Sequence, residues 1–574
     1  MPAVHIYNTL TGELAEIKPI AGATGPVTFY TCGPTVYDDA HIGNFRSFLN
    51  ADILRRTIEL TGTPVRHVMN ITDVGHMTDD TNADGGGEDK MAVAGRRLLE
   101  AKKSGKIHAD VAIDANDPMA IADFYANRFL EDARLLGLKV AIEAQNDPSL
   151  MPRPTKWISQ MLDMIKQLIE RGHAYVASDG AVYFNVKSFA DYGKLSGNTL
   201  ENLREGEGGR ISAQHQAAKK NPGDFMLWKP DPHHVLKWDS PYGAGYPGWH
   251  LECSAMAAGL LGAEIDIHSG GEDNIFPHHE CEIAQSRCAH NKLSFARLWF
   301  HTRHLIVEGE KMSKSKGNFF TARDLFAKGV TPAALRLEIT RTHYRTNANF
   351  TMQGLADCQR MIDRWSRAAE ALQAKVAAGT PRLVGGEAHN SASAKNANAN
   401  ANANANANAN ANANANANAN ANTNANTNAN TNANTSTNTN ASANINHNAP
   451  AGPFEIALPR FTQALCEDLN MARAIAALNE AVAVEDNSAC AHRELAALHK
   501  MNSVLGVLER NTQVANSGDA DFEAKVNALI EVRAAARRNK DFAASDRARD
   551  ELVSLGVQIK DGATGTTWTR AVRT

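Results

Sequence analysis

The chain has 574 residues, 43% of them hydrophobic and 21% charged, and a formal net charge of −4 at pH 7. That length exceeds one hydrophobic core and predicts three or four domains. So small a net charge excludes a global basic field, and any polyanion must be held by local Lys/Arg patches.

The first residues, MPAVHIYNTLTGELAEI, alternate polar and apolar and lack the basic head and apolar run of a signal peptide. No window approaches 18 uninterrupted apolar residues, so no membrane partner is expected. PVTFYTC reads as a buried strand ending at Cys32. AHIGNFRSFLNADILRRTIELTG reads as an amphipathic helix with Phe45, Phe48, Leu49, Ile53 and Leu54 on one side, stopped by Gly62. TPVRHVMNIT is the next strand, giving the alternation of a parallel α/β unit. A Gly/Asp-rich stretch, GHMTDDTNADGGGEDKM, follows.

Between 115 and 235 the pattern changes to helices (Ile121–Leu136, Thr155–Arg171) and strand-like AYVASDGAVYFNV, predicting an insertion. The α/β pattern resumes in GAEIDIHSGG and LWFHTRHLIV. From Thr331 the signals are nearly all helical, through Lys375 and again from Pro453 to Glu509. Between them the tract 396–448 alternates Asn with Ala, then Asn with Thr, and holds nothing large enough for a core. It reads as disordered, either a spacer or a repeat expansion tolerated in a surface loop. The last unit, Asp521 to Thr574, joins a basic helix to a strand-like end. Seven cysteines, few and scattered, do not form a disulfide framework, and a reducing cytoplasm is the expected setting.

Three clusters carry chemistry. Cys32 lies where a strand meets a turn and can be a nucleophile, a metal ligand or a buried bystander. Cys253 in GWHLECSAM, with His278, His279, Glu280, Cys281 and Glu282 in NIFPHHECEIAQS, supplies ordinary zinc ligands. Pro277 suits a helix start, and a helix there puts His278 and Glu282 on one face, with His279 and Cys281 on others. His41, Gly43 and Asn44 open a helix, where free N–H groups favour anions. By residue type alone His41 is equally a solvent-facing helix start. Lys311, Lys314 and Lys316 lie among Ser and Gly in VEGEKMSKSKGNFF. Such a loop is either a solvated basic segment or a mobile clamp for a polyphosphate.

HIGN followed by KMSKS, separated by an α/β pattern with an insertion, resembles the paired signatures of class I aminoacyl-tRNA synthetases. CGPTVYDDAHIGN, NITDV, GWHLECSAM, DIHSGGEDNIFPHHECEIAQS and EKMSKSKGN together resemble the cysteinyl branch of that family over almost the whole chain. The resemblance implies a Rossmann-type α/β catalytic domain over 1–114 and 236–330, with an inserted connective domain over 115–235. It further implies a helical bundle for tRNA over 331–395 and 449–512, interrupted by 396–448, and a small anticodon-side domain over 518–574. It implies ATP-dependent activation of L-cysteine and transfer to tRNA(Cys), with ATP used together with Mg2+, by a protein expected to be monomeric.

The zinc ligands it implies are Cys32, Cys253, His278 and Glu282, with the metal taking the substrate sulfur as thiolate. Thr72, Trp249 and His268 would surround the amino acid, and Gly271 and Asp273 the adenylate. His41, Gly43, Asn44, Lys311 and Lys314 would serve ATP, with His41 and Asn44 on its phosphates and both lysines on the pyrophosphate side. HIGN departs from the generic signature, which ends in His, but Asn is common in this branch. The nearest rival, a ligase passing activated cysteine to a small amine, would share these motifs and lack the C-terminal unit. There Arg533, Arg537, Arg538 and Lys540 are expected to offer charge to a phosphate backbone. A catalytically dead RNA-binding relative would be free to lose the motifs that stand intact here.

Overall fold

A computed structural model describes residues 2–74, 77–79, 86–103, 113–198, 218–313, 316–379, 450–484, 490–510, 519–539, 541–555, 557–562 and 565–570. The Asn/Ala tract 396–448, Lys314 and Lys540 lie outside them. The chain divides into two compact units. One comprises Met1–Ala368, Pro453–Asp486 and Ala496–Thr574. The other comprises Ala369–Gly452 and Asn487–Leu495, where Arg493 donates to the Pro450 carbonyl at 3.4 Å.

In the first unit, four parallel strands form the central sheet: β1 (Val27–Thr31), β2 (Val65–Met69), β3 (Ile265–Gly271) and β4 (Ala296–Thr302), in the spatial order β4-β3-β1-β2. Phe29 pairs with His67 on one side and Ile267 on the other, and His268 pairs with Trp299. Runs of Val, Ile, Phe and Tyr suit strands covered on both faces, and β3 is buried from Ile265 to Gly270. From β1 the chain passes through helix α1 (Ile42–Leu60) to β2; the rest of the sheet is built on the opposite flank, through α2 (Trp249–Leu261), β3, α3 (Glu280–His290) and β4. β1 and β3 therefore flank a topological switch point, where open α/β sheets form a crevice at their carboxyl ends.

Between β2 and α2 lie helices Pro118–Leu135 and Ile158–Glu170 and an antiparallel sheet of Ala174–Val176, Val182–Phe184, Phe225–Pro230 and Gly245–Pro247. Short strands Met77–Asp79 and Gly86–Asp89 pair inside the Gly/Asp-rich stretch. LWFHTRHLIV makes two strands. Leu305–Val307 separates from β4 and pairs with Glu310–Lys311 and Ala348–Phe350. Helices Pro332–Thr340, Met352–Gly379, Pro453–Cys466, Met471–Ala483 and Ala491–Leu505 follow. Helices Asp519–Arg538 and Phe542–Ser554 pack with the hairpin Val557–Gly562/Gly565–Arg570 around Val526, Leu552 and Val557. Arg537 and Arg538 are exposed there, but Arg533 is buried and does not present its charge to solvent. No helix among the described residues is long and apolar enough to cross a membrane.

α1 departs from the amphipathic expectation. Phe45, Phe48, Leu49, Ile53 and Leu54 are buried, and so are Arg46, Asn50, Asp52 and Arg55 on other sides. Later segments cover the polar side and supply partners. Arg336, fully buried, donates to Asp52 at 2.6 Å and to the carbonyls of Leu505 (2.6 Å) and Leu136 (3.0 Å). Burial alone would raise the Asp52 carboxyl, but Arg56 and Arg336 outweigh it and hold it well below the ordinary carboxylate range. A depressed carboxyl stabilises the fold above its unfolded value, near pH 4, and that contribution is lost as pH falls through the folded value. Arg336→Ala is expected to cost about 3–5 kcal/mol in urea unfolding at pH 7. The deficit should shrink as pH falls below about 4, where Asp52 protonates in the unfolded chain while the folded parent still holds it ionised.

Candidate active site and metal centre

The crevice at the carboxyl ends of β1 and β3 gathers side chains from four distant stretches. Cys32 follows β1 directly. The turn after it presses on the chain leaving β2: a Cβ on Gly33 would sit 1.7 Å from the Asn70 carbonyl oxygen, so only glycine fits. Cys253 lies one turn into α2. His278 precedes α3 and Glu282 is in its first turn, with the helix proper starting at Glu280 rather than at Pro277. The expected shared face survives that shift, and His278 Nε2 lies 2.7 Å from Glu282 Oε1.

Cys32 Sγ stands 3.6 Å from Cys253 Sγ, 3.4 Å from His278 Nε2 and 3.4 Å from Glu282 Oε1. All four ligand atoms lie within 4.8 Å of one another, and all four residues are buried. Zinc–sulfur bonds of about 2.3 Å at tetrahedral angles would separate two sulfurs by about 3.8 Å. The observed thiol spacing fits that group.

The ligands' remaining polar atoms are held from outside. His250 Nδ1 lies 2.9 Å from His278 Nδ1, and His268 Nε2 lies 2.7 Å from Glu282 Oε2. Partners of this kind fix a ligand's tautomer and orientation. A second set, Cys32, His268, His279 and Glu282, also meets the distance condition. It has one thiol instead of two, and His279 Nδ1 is engaged by His301 Nε2 at 2.7 Å. The first set is the better zinc site. Cys281 points away, to the Tyr192 hydroxyl at 3.4 Å.

The electrostatics describe a nest of interacting charges, in which burial would raise the Cys253 thiol but its bonds from Cys32 and His278 outweigh it and lower it. Burial, with the neighbouring Cys253 and Glu282, pushes the Cys32 thiol well up. Burial would lower His278, but Glu282 and Cys253 outweigh it and raise it to about 10. Glu282 is held well below the carboxylate range, because His268 and His278 overcome its burial. A positive charge among these groups favours both thiolates.

The other expected residues ring this nest. The Trp249 indole lies over the His278 imidazole, centroids 4.2 Å apart. Asn70 Nδ2 donates to Thr72 Oγ1 at 2.9 Å, and Thr72 Oγ1 donates to Glu252 Oε2 at 3.2 Å. Gly271 ends β3, and Asp273 is exposed in the next turn. Four residues escaped the sequence reading: Asn70, which accepts from the Gly33 N–H at 2.9 Å; His250; Glu252; and Gln285, which reaches Ser254 Oγ at 2.7 Å and the His250 carbonyl. Asn70 in NITDV and His250 and Glu252 in WHLECSAM carry no local signal that separates them from ordinary polar positions.

At the head of α1, His41 and Asn44 form a reciprocal cap. His41 Nδ1 accepts from the Asn44 N–H and Asn44 Oδ1 accepts from the His41 N–H, each at 3.2 Å. Because Nδ1 accepts, the ring proton sits on Nε2, which can donate to an anion. HIGN and the KMSKS loop meet here. The Ile42 N–H donates to the Phe320 carbonyl at 3.0 Å, and the His41 ring meets Phe319 edge-on. A Cβ on Gly43 would lie 3.1 Å from Met312 Cε and 2.9 Å from the His41 ring. Lys311 is exposed on its short strand, while Lys316 is paired with Glu310 at 2.8 Å.

Residues 19–360 match the family of tRNA synthetases class I (C) catalytic domains, and residues 519–568 match the cysteinyl-tRNA ligase anticodon binding domain. The cysteine–tRNA ligase of Salinibacter ruber is 37% identical over 603 aligned residues, covering 99% of this chain and 98% of that protein. Those of Chlorobaculum tepidum (35% identity, 99% of each chain) and Brachyspira hyodysenteriae (34%, 99% of this chain and 100% of the other) are similar to it along their whole lengths.

Proposed function

The chain belongs to the cysteinyl-tRNA synthetase family, whose reaction is the ATP-dependent ligation of cysteine to tRNA(Cys), and we propose that the crevice between β1 and β3 is where cysteine is chosen and activated. The observation that carries this is the nest of Cys32, Cys253, His278 and Glu282 in the same crevice edge that joins HIGN to KMSKS. Those four groups would hold zinc, which would supply a Lewis acid preferring thiolate to hydroxyl and so separate cysteine from serine where pocket shape discriminates poorly.

Thr72, Trp249 and His268 line the place of the amino acid. His268 anchors Glu282, and Trp249 closes over His278 and excludes water. In the first step a cysteine carboxylate oxygen attacks the α-phosphorus of ATP, the bond to the β-phosphate bridging oxygen breaks, and pyrophosphate leaves. His41 Nε2–H donates to the phosphates, and the Asn44 main-chain N–H fixes that tautomer by donating to Nδ1. Gly43 lets the nucleotide approach the backbone, and Gly271 and Asp273 border the adenylate.

Lys311 and Lys314, with Mg2+ carried on ATP, neutralise charge gathering on the leaving pyrophosphate. In the second step a terminal ribose hydroxyl of tRNA takes the acyl group and AMP departs. Little general acid–base chemistry is needed, so position and charge carry the rate. We further take the enzyme to work as a monomer in the cytoplasm.

The test is ATP–pyrophosphate exchange on purified protein with cysteine and with serine, alongside zinc content. Exchange with cysteine alone, followed by charging of tRNA(Cys), is the expected result. A zinc-loaded, folded protein that exchanges with neither amino acid would overturn the reading.

A further inference from the structure

Arg46 lies two residues after Asn44 in α1 and is 1% exposed. A buried guanidinium ordinarily takes a carboxylate partner, because desolvating the charge is expensive. Here every hydrogen bond identified for it runs to a main-chain carbonyl. Nε donates to Arg303 at 3.0 Å, Nη1 to Ile339 at 2.7 Å, and Nη2 to His343 at 3.1 Å and Thr346 at 2.7 Å.

These acceptors share one feature. Arg303 precedes the strand Leu305–Val307, which pairs with Glu310–Lys311 and so carries the KMSKS loop out of the fold. Ile339, His343 and Thr346 lead into Ala348–Phe350, the parallel neighbour of that strand. Arg46 thus grips the segments that lead into both strands at the root of the loop. The far end of the loop is pinned to the same helix, through Ile42 and Phe320.

A second strut reaches the same point. Glu272, in the turn between Gly271 and Asp273, accepts from the His304 N–H at 3.1 Å and pairs with Arg303 Nη1 at 2.9 Å. The HIGN helix, the turn assigned to the adenylate and the KMSKS root therefore converge on Arg303–His304.

We propose that Arg46 is a positioning residue for adenylate formation: its bonds to main-chain carbonyls fix the root of the KMSKS loop against the HIGN helix, so that Lys311 meets the pyrophosphate in one register. The role rests on the proposed function of that loop and adds to it a residue that touches no substrate. Arg46 acts through the backbone of the loop root, and so lysine, a single point of charge, cannot replace the fork that reaches four carbonyls. Displacing a reacting group by about 1 Å can cost about a hundredfold in rate.

The experiment uses full-length, zinc-loaded protein carrying Arg46→Lys or Arg46→Ala, with Arg336→Ala as a brace remote from the loop. Three quantities are read: kcat and KM in cysteine-dependent exchange, urea stability, and the rate of tryptic cleavage at Lys311 and Lys316. For both Arg46 variants kcat is expected to fall about a hundredfold with the KM for cysteine unchanged. Loop cleavage should accelerate, and added guanidinium ion should restore part of the rate in Arg46→Ala. Arg336→Ala should lose stability without faster loop cleavage.

An unchanged kcat and an unchanged cleavage rate in Arg46→Lys would overturn the proposal. So would losses matching those of Arg336→Ala at equal stability, which mark a plain structural brace. If the parent protein fails to exchange at all, the function of the site has failed instead, and the cleavage rates still decide whether Arg46 anchors the loop.

Discussion

Cys253→Ser is expected to yield a folded protein with far less than one zinc per chain and almost no capacity to activate cysteine. The substitution keeps the shape of a side chain 1% exposed on α2, so packing is nearly preserved. What changes is the donor. A neutral hydroxyl replaces a sulfur that stands 3.6 Å from Cys32 Sγ, and zinc binds thiolate far better than alcohol. Loss of an outer partner of a metal ligand typically costs about 10–100-fold in affinity or activity. Loss of the ligand itself should exceed that in kcat/KM for cysteine, whereas His250→Ala, which removes the neighbour of His278 Nδ1, should fall within it. Zinc analysis and exchange kinetics on both variants check the order. Full zinc content and full preference for cysteine over serine in Cys253→Ser would sink the assignment of the nest.

Lys311→Ala should act on the other half of the site. Removing one preorganised donor to developing charge costs about 10²–10³ in kcat. Lys311 is exposed, so stability should not change, and its distance from the nest in function predicts an unchanged KM for cysteine. Lys316→Ala is the internal comparison. That ammonium is already paired with Glu310 at 2.8 Å and should matter much less. Exchange rates at saturating cysteine with varied ATP separate the two; equal effects would remove Lys311 from its proposed role.

The α/β pattern was legible because its cause is local. Buried runs such as VTFYT and IDIHSGG, and the glycine stop at Gly62 with φ 93°, declare themselves within a few residues. The side coverage of α1 was not, because what buries Arg46 and Arg55 comes from segments as distant as Thr346 and Glu143. The division of LWFHTRHLIV was hidden for a similar reason, since both halves are apolar and only their partners differ.

Spacing left Cys32 open among three roles, and only resemblance joined it to Cys253, His278 and Glu282. Geometry then brought all four together. The outer shell stayed invisible in sequence. Asn70, His250 and Glu252 matter through what they touch, and no local rule distinguishes a polar residue that holds a ligand from one that merely fills a turn. Lys314, the remaining loop lysine, lies outside the described residues.

The two ends of the nest, Cys32 and Glu282, stand 250 positions apart in the chain, and the β3 strand between them pairs with β1 in the sheet that aligns them. During synthesis the first thiol therefore emerges long before its partners, and a ribosome must translate past the start of α3 before any high-affinity zinc pocket exists. With zinc as the proposed occupant, metal loading would be a late event in biogenesis, a checkpoint that reports pairing of β1 with β3 rather than an early nucleus that guides it.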